Sequence, residues 1–432
     1  MCHSEKIYRF EPVKSGLLVL LAGLLSFGCE TDDAFSLYDE DYESGEQPVV
    51  NQIDPDGRYV AGVDKITIYG EHFSPEKDHN LVYFNEDRGE VLEAAEDHLV
   101  VRPANNPGDS IMVRVTVRGA EKFSEKYAYE LTPSIQNFND YADFIAGSDE
   151  PWANTVDSEG NLLATISADG YYGLFKFDVS ELDEWMELEI EGDHEDYLAA
   201  PINDFNWRDI KVGPDGMAYL VRNERRVDRV NPDPEEQEGE ELFAFLDAGN
   251  FISALDFDEY GHLWAAGNAE AIYRLDTDED DFEESTVYSK DWDANTRAIR
   301  YVNGRLYAAS EIDGSAEIYS FNVTEDGELT DEEHVLSFAD DLGEASATVF
   351  ALEADSDGNI YAGSDLDDPV VQIQQNGSWE KFNPGVFDPA IIAFGWGTGD
   401  YMFITREEFG GDPQRLQVVN MQRQRATYYG ID

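Results

Sequence analysis

Six times between Pro151 and Met421 the chain repeats one phrase: an apolar approach, a turn ending in glycine, then a β-rich run backed by small residues. The copies read TVDSEGNLLATIS, KVGPDGMAYLVRN, LDFDEYGHLWAAGN, RYVNGRLYAASE, EADSDGNIYAGSD and, most degenerate, FGWGTGDYMFITRE. Their glycines are Gly160, Gly216, Gly261, Gly304, Gly358 and Gly399, spaced 41 to 56 residues apart. A period of this length, made of strands and tight turns, predicts a β-propeller with one four-stranded blade per copy. Six copies predict six blades.

The chain has 432 residues, and the repeats occupy only the last three hundred or so, so a further domain must precede them. A hydrophobic fraction of 42% with 12% aromatics is enough for substantial cores. Asp and Glu number 93 against 29 Lys and Arg, a formal charge of −64. Phosphate binding needs a cationic footprint, so nucleic acid is excluded as a partner. Self-repulsion on this scale is screened at high salt, and only 10 of the cations are Lys, which points to a halophilic source. An acidic extracytoplasmic protein of a marine bacterium is the alternative.

Lys6, Arg9 and Lys14 precede an apolar run from Leu17 to Phe27 that is too short to span a bilayer and ends in Gly28-Cys29. Residues 1–28 therefore read as a secretory signal. The segment resembles a bacterial lipoprotein precursor, although Ser26 stands where such boxes carry Leu. The resemblance implies cleavage before Cys29 and its lipidation; an ordinary signal peptide with an incidental cysteine is the alternative. Glu30, Asp32 and Asp33 follow at once and look like the export signal of surface lipoproteins in Bacteroidetes-type bacteria, which implies an outer-membrane anchor facing the cell exterior. Cys2 lies in the removed segment, so a lipidated mature chain has no thiol for a disulfide, a thiolate metal site or cysteine catalysis.

Residues 29–47 are acidic and lack a sustained apolar period, as a tether does. Residues 48–131 hold short alternating runs, KITIYG, NLVYFN, LVVRPA, IMVRVTVRG and KYAYEL, which predict a small sandwich. Ile53-Asp-Pro55, then Gly62, Ile66-Thr-Ile-Tyr-Gly70 and Phe73 resemble an IPT/TIG domain, an immunoglobulin-like fold that mostly serves as a spacer in secreted bacterial proteins. Residues 134–432 form the propeller. Part of LTPSIQNFNDYADF is expected to pair with the last blade, because an open ring would leave two unpaired edges. RLQVVNM and RATYYG are the other candidates for that closure.

The phrases DSEGNLL, DSDGNIYAGS and GPDGMAYL resemble the NHL and lactonase-like propellers, which implies a fold and no particular activity. Asp355, Asp357 and Asn359 imitate the start of an EF-hand, but its twelfth position is Leu366, so the segment reads as a turn. The acidic runs after Leu275 and Thr324 offer at most weak, non-specific calcium binding, and no cofactor is expected. Ligands of propellers sit where loops converge at one mouth of the channel. Seven places past the turn glycines stand Ser167, Asn223, Asn268, Glu311, Asp365 and Arg406, with Arg222 one place before Asn223. On the approach side stand Trp152 with Asn154, Trp207 with Arg208 and Asp209, and Arg297. Aromatic faces beside amides and charges suit a sugar or peptide, or else they fill inter-blade space around a wet channel.

The lactonase resemblance implies a metal held by residues such as Asn223, Asn268, Glu311 and Asp365, with a carboxylate as base. Only seven His occur, and no nucleophile elbow, phosphate loop or dinucleotide fingerprint sits in the right setting. The sequence thus leads to an all-β surface lipoprotein in which a sandwich presents a six-bladed propeller as a binding head for a glycan or protein. Such architectures resemble surface proteins that capture ligands for uptake, with an outer-membrane transporter as the implied partner. A metal-dependent lactonase or lyase and a purely adhesive protein are the alternatives.

Overall fold

The computed structural model describes residues 44–431 apart from 57–58, 139–149, 169–170, 183–185, 187, 189–196, 203–205, 237 and 276–285. The signal segment, the lipidation site Cys29 and most of the tether lie outside the described residues. The protein is all-β.

The first domain builds on period-two patterning. Ile66 and Ile68 point inward from Ile66–Glu71, Val82 and Phe84 from Asn80–Phe84, and Val113 and Val115 from Gly108–Val117, all fully buried in one core. Asp87–Ala94 pairs with Asn80–Phe84 at its start and with His98–Arg102 at its end, so one strand stitches the two layers together. This is the expected Ig-like sandwich. Val63 of the sandwich packs on the propeller cluster that holds Val386 and Met421, and Gln422 Nε2 donates to Asp64 Oδ1 at 2.9 Å.

All six repeat glycines have positive φ, between 79° and 92°, which only glycine adopts without strain. An aspartate locks three of these turns. Asp157 Oδ1 accepts from the Glu159 and Asn161 amides, Asp258 Oδ1 from those of Tyr260 and His262, and Asp355 Oδ1 from that of Asn359. Asp355 Oδ2 also accepts from Asn359 Nδ2 and Tyr361 Oη, both at 2.8 Å. The imitation calcium loop is a turn staple.

Counted as hydrogen-bonded sheets, the propeller has five blades rather than the six expected. Four are four-stranded, beginning at Glu150–Val156, Asp209–Val212, Val349–Ala354 and Ile391–Trp396; the third in chain order is six-stranded and takes in both the third and fourth repeats. The cause lies in the junction. Every other link between repeats carries Pro or Gly: Pro201, Gly249, Gly343, and Pro384 with Pro389. Between the third and fourth repeats none occurs after Leu275, and Thr286–Val302 runs on as one 17-residue strand, pairing first with Leu263–Leu275 and then with Arg305–Ile312. Trp292 braces the joint, its Nε1 donating to Thr296 and Ser310 and its ring edge-on to Tyr319 and Phe321 at 5.1 Å. Six strand segments still surround the axis, because the second half of Thr286–Val302 takes an inner place beside Phe251–Phe257 and Val349–Ala354.

The ring closes through Ile135–Asn137, which adds the fourth strand to the last sheet by pairing with Arg415–Asn420. This is the pairing expected of the linker. RATYYG does not join the sheet. The chain after Met421 instead runs under the ends of the inner strands. Ser356 N donates to Gln424 O, Ala426 N to Ala354 O and Tyr428 Oη to Val212 O, and Tyr429 packs edge-on to Tyr301. The tail closes the base of the channel.

Candidate functional site

Each inner strand starts at the open end of the ring, and each second strand ends there, so the two residue sets flank one mouth. A cavity of about 280 Å³ occupies it. Trp152, Trp207 and Phe350 supply aromatic walls, and Asn223, Asn268 and Asn295 supply amides. Arg208 and Arg297 supply charge, with Ser253 and Ile392 completing the lining. Of the residues anticipated from sequence, Trp152, Trp207, Arg208, Asn223, Asn268 and Arg297 meet in this cavity.

The others do not line it. Asn154 is buried and donates to Thr405 Oγ1 across the seam between first and last sheets. Asp209 accepts from Lys211 Nζ and from the Leu255 amide, both at 2.8 Å. Arg406 is buried, donating to the Pro389 and Pro413 carbonyls. Arg222 stacks behind Trp207, 5.0 Å from its ring, and pairs with Glu224 at 3.5 Å. Asp365 Oδ1 accepts from the Thr348 amide. Glu311 pairs with Arg297 at 3.3 Å and faces an adjoining cavity of about 150 Å³. Asn223, Asn268, Glu311 and Asp365 therefore do not face one point. Among the described residues no group of three or more His, Cys, Asp or Glu is placed to hold a metal ion.

Ser253, Asn295, Phe350 and Ile392 escaped the sequence reading, yet for three of them a signal existed. Trp152, Arg208, Ser253, Arg297, Phe350 and Ile392 each stand seven or eight places before their turn glycine, so one register supplies one residue from every inner strand.

Cation–π contacts order the rim. Arg208 lies 5.7 Å from the Trp152 ring and Arg297 5.7 Å from Phe350. Loss of water in the cavity holds Arg208 below its usual range; the charge of Arg297 acts in the same sense, and Glu407 opposes it. Trp152 and Phe350 are half-buried and line the cavity, whereas Trp207 is 1% exposed and belongs to the core.

Below the mouth the channel narrows to a space of about 20 Å³, room for about one water. Beneath this lies an ionic cluster. Arg300 bridges Asp256 at 3.1 Å and Glu353 at 2.6 Å, with Lys211 and Asp209 alongside. Burial works against the Arg300 cation, and Glu353 and Asp256 more than reverse that, raising it above its usual range. Burial pushes Asp256 up despite Arg300 and Lys211. The Tyr428 ring lies 5.3 Å from the Arg300 guanidinium and is itself pushed well up by burial. The arrangement makes a cup: wet and polar at the rim, ionically filled in the middle and sealed beneath.

Residues 48–131 match the sequence profile of the IPT/TIG domain. No curated protein matches the chain in sequence. Among solved structures, an auxiliary nutrient binding protein from Bacteroides thetaiotaomicron aligns at 10% identity and a TM-score of 0.47, over 88% of this chain and 99% of its own. Another from Bacteroides ovatus aligns at 11% and 0.40, over 87% and 98% respectively. Virginiamycin B lyase from Staphylococcus aureus aligns at 11% and 0.38, over 62% and 80%. At these identities and TM-scores the likenesses carry no argument; the profile match and the sheet topology define an Ig-like TIG domain followed by a β-propeller.

Proposed function

We propose that the propeller is a ligand-binding head and that its mouth takes a saccharide or a short polar segment of a protein. One observation carries this reading: residues from all six inner strand segments converge on a single 280 Å³ cavity with aromatic, amide and guanidinium groups together, above a channel closed at its base. Half-buried aromatic faces stack on the apolar faces of sugar rings, and asparagine amides both donate to and accept from hydroxyls. A glycan array probed with the purified protein tests the reading. Trp152→Ala and Asn268→Ala should each abolish or sharply weaken the signal while the melting temperature stays near wild type; unchanged binding by both would place the site elsewhere.

In this reading Cys29 carries lipid and holds the protein in the outer membrane, facing the exterior, with the acidic tether and the Ig-like domain as spacers and an outer-membrane transporter as recipient. The signal-like segment and the acidic residues after Cys29 support it. Metabolic labelling with a fatty acid analogue should mark the wild type and not Cys29→Ser. Protease added to intact cells should remove the head; its protection would overturn the outward orientation.

A further inference from the structure

Among the described residues, the lining of the mouth cavity carries the opposite sign of charge to the molecule as a whole. Acidic residues make up 93 of the 432 and basic ones only 29, yet among the described residues lining the mouth cavity two are arginine and none is Asp or Glu. Arg208 and Arg297 come from the second and fourth blade segments, with Ser253 from the third, and each lies over an aromatic ring, Trp152 and Phe350 respectively; Arg297 also reaches Glu311 through Nη2. Two like charges brought to one rim are mutually unfavourable unless an anion joins them. The carboxylates that accompany them are peripheral. Glu311 reaches Arg297 from the adjoining cavity while remaining exposed, and Glu407 influences Arg208 without lining the mouth.

Resting on the binding reading above, we propose that the ligand is an anionic saccharide whose acidic group sits between Arg208 and Arg297, with its ring against Trp152 or Phe350 and its hydroxyls on Asn223, Asn268 and Asn295. A planar guanidinium fork pairs with a carboxylate or a sulfate through two parallel hydrogen bonds, so either acid meets the geometry. Glu311 acts as an internal competitor: the incoming acid takes its place on Arg297. The net negative charge of the molecule slows such a ligand at low salt, and the two arginines recover its affinity at the end of its approach.

The test is an array bearing uronate, sialylated and sulfated glycans, each beside its neutral counterpart (methyl ester, desialylated or desulfated), followed by titration of the best hit. Acidic members should bind at least about 10-fold more tightly than their neutral partners, as charge-assisted hydrogen bonds do. Arg208→Gln and Arg297→Gln should each weaken the acidic hit about 10- to 100-fold and narrow its advantage over the neutral partner. Glu311→Gln should tighten it several-fold, an effect that general damage to the fold does not produce. Hits confined to uronates or sialic acids identify a carboxylate as the acid, and hits confined to sulfated glycans identify a sulfate. Equal binding of acidic and neutral members, or unaltered affinity in both arginine variants, overturns this inference and leaves the glycan reading standing. Silence across the whole array overturns both.

Discussion

Asn154 Nδ2 donates a 2.8 Å hydrogen bond to Thr405 Oγ1, joining residues 251 positions apart across the seam where the last sheet meets the first. Both side chains are buried, so removing one leaves a polar group stranded. Asn154→Ala should lower the unfolding free energy by about 1–3 kcal/mol in urea titrations. Combining it with Thr405→Val should cost little more than either change alone, and full additivity would show that the pair is not coupled.

Arg300 is the keystone of the ionic cluster. Arg300→Met leaves Asp256 and Glu353 buried without their cation and should cost about 3–5 kcal/mol. Asp256 already has a raised pKa, so its charged form is the disfavoured one in the fold. Its contribution to stability falls as pH rises from the unfolded value of 3.8 toward the folded one, and losing Arg300 extends that range upward. Melts should show Arg300→Met closer to wild type at pH 5 than at pH 8; equal deficits would argue against this account.

Asp157 has the opposite sign. Burial would raise its pKa, but Asn161 and Lys176, whose Nζ lies 2.9 Å away, hold it below 3.8. Its stabilising effect is therefore complete above that value and disappears as pH falls through the lower folded pKa. Asp157→Asn should destabilise the protein by about 1–3 kcal/mol at pH 7 and draw closer to wild type as pH falls below 3.8. A constant gap across that range would show that the charge is irrelevant and only the turn geometry matters.

The charge of −64 predicts a salt response. Raising sodium chloride from about 0.05 M to about 2 M shortens the screening length from more than 10 Å to a few Å and should raise the melting temperature. A flat response would indicate that the carboxylates are too dispersed to repel one another.

Much of this architecture was readable from the chain because it rests on local chemistry. The six glycines, confirmed at positive φ, announce the turns, and counting seven places onward reaches Asn223 and Asn268 at the mouth. Phe350 and Ile392 were missed because neither looks like a binding residue in isolation; only the common register before the glycine reveals them. The fused sheet was missed because a repeat announces itself by its turns, whereas fusion depends on the lack of a breaker between Thr286 and Val302. RATYYG misled through its β-like composition. Its tyrosines serve a different end, packing against Arg300, Tyr301 and Val212, partners far away in sequence that no local pattern discloses.

Residues 422–431 turn a ring into a vessel with a single door. Whatever enters the cup, water or solute, must leave by the way it came, so the space does not run from one face of the ring to the other.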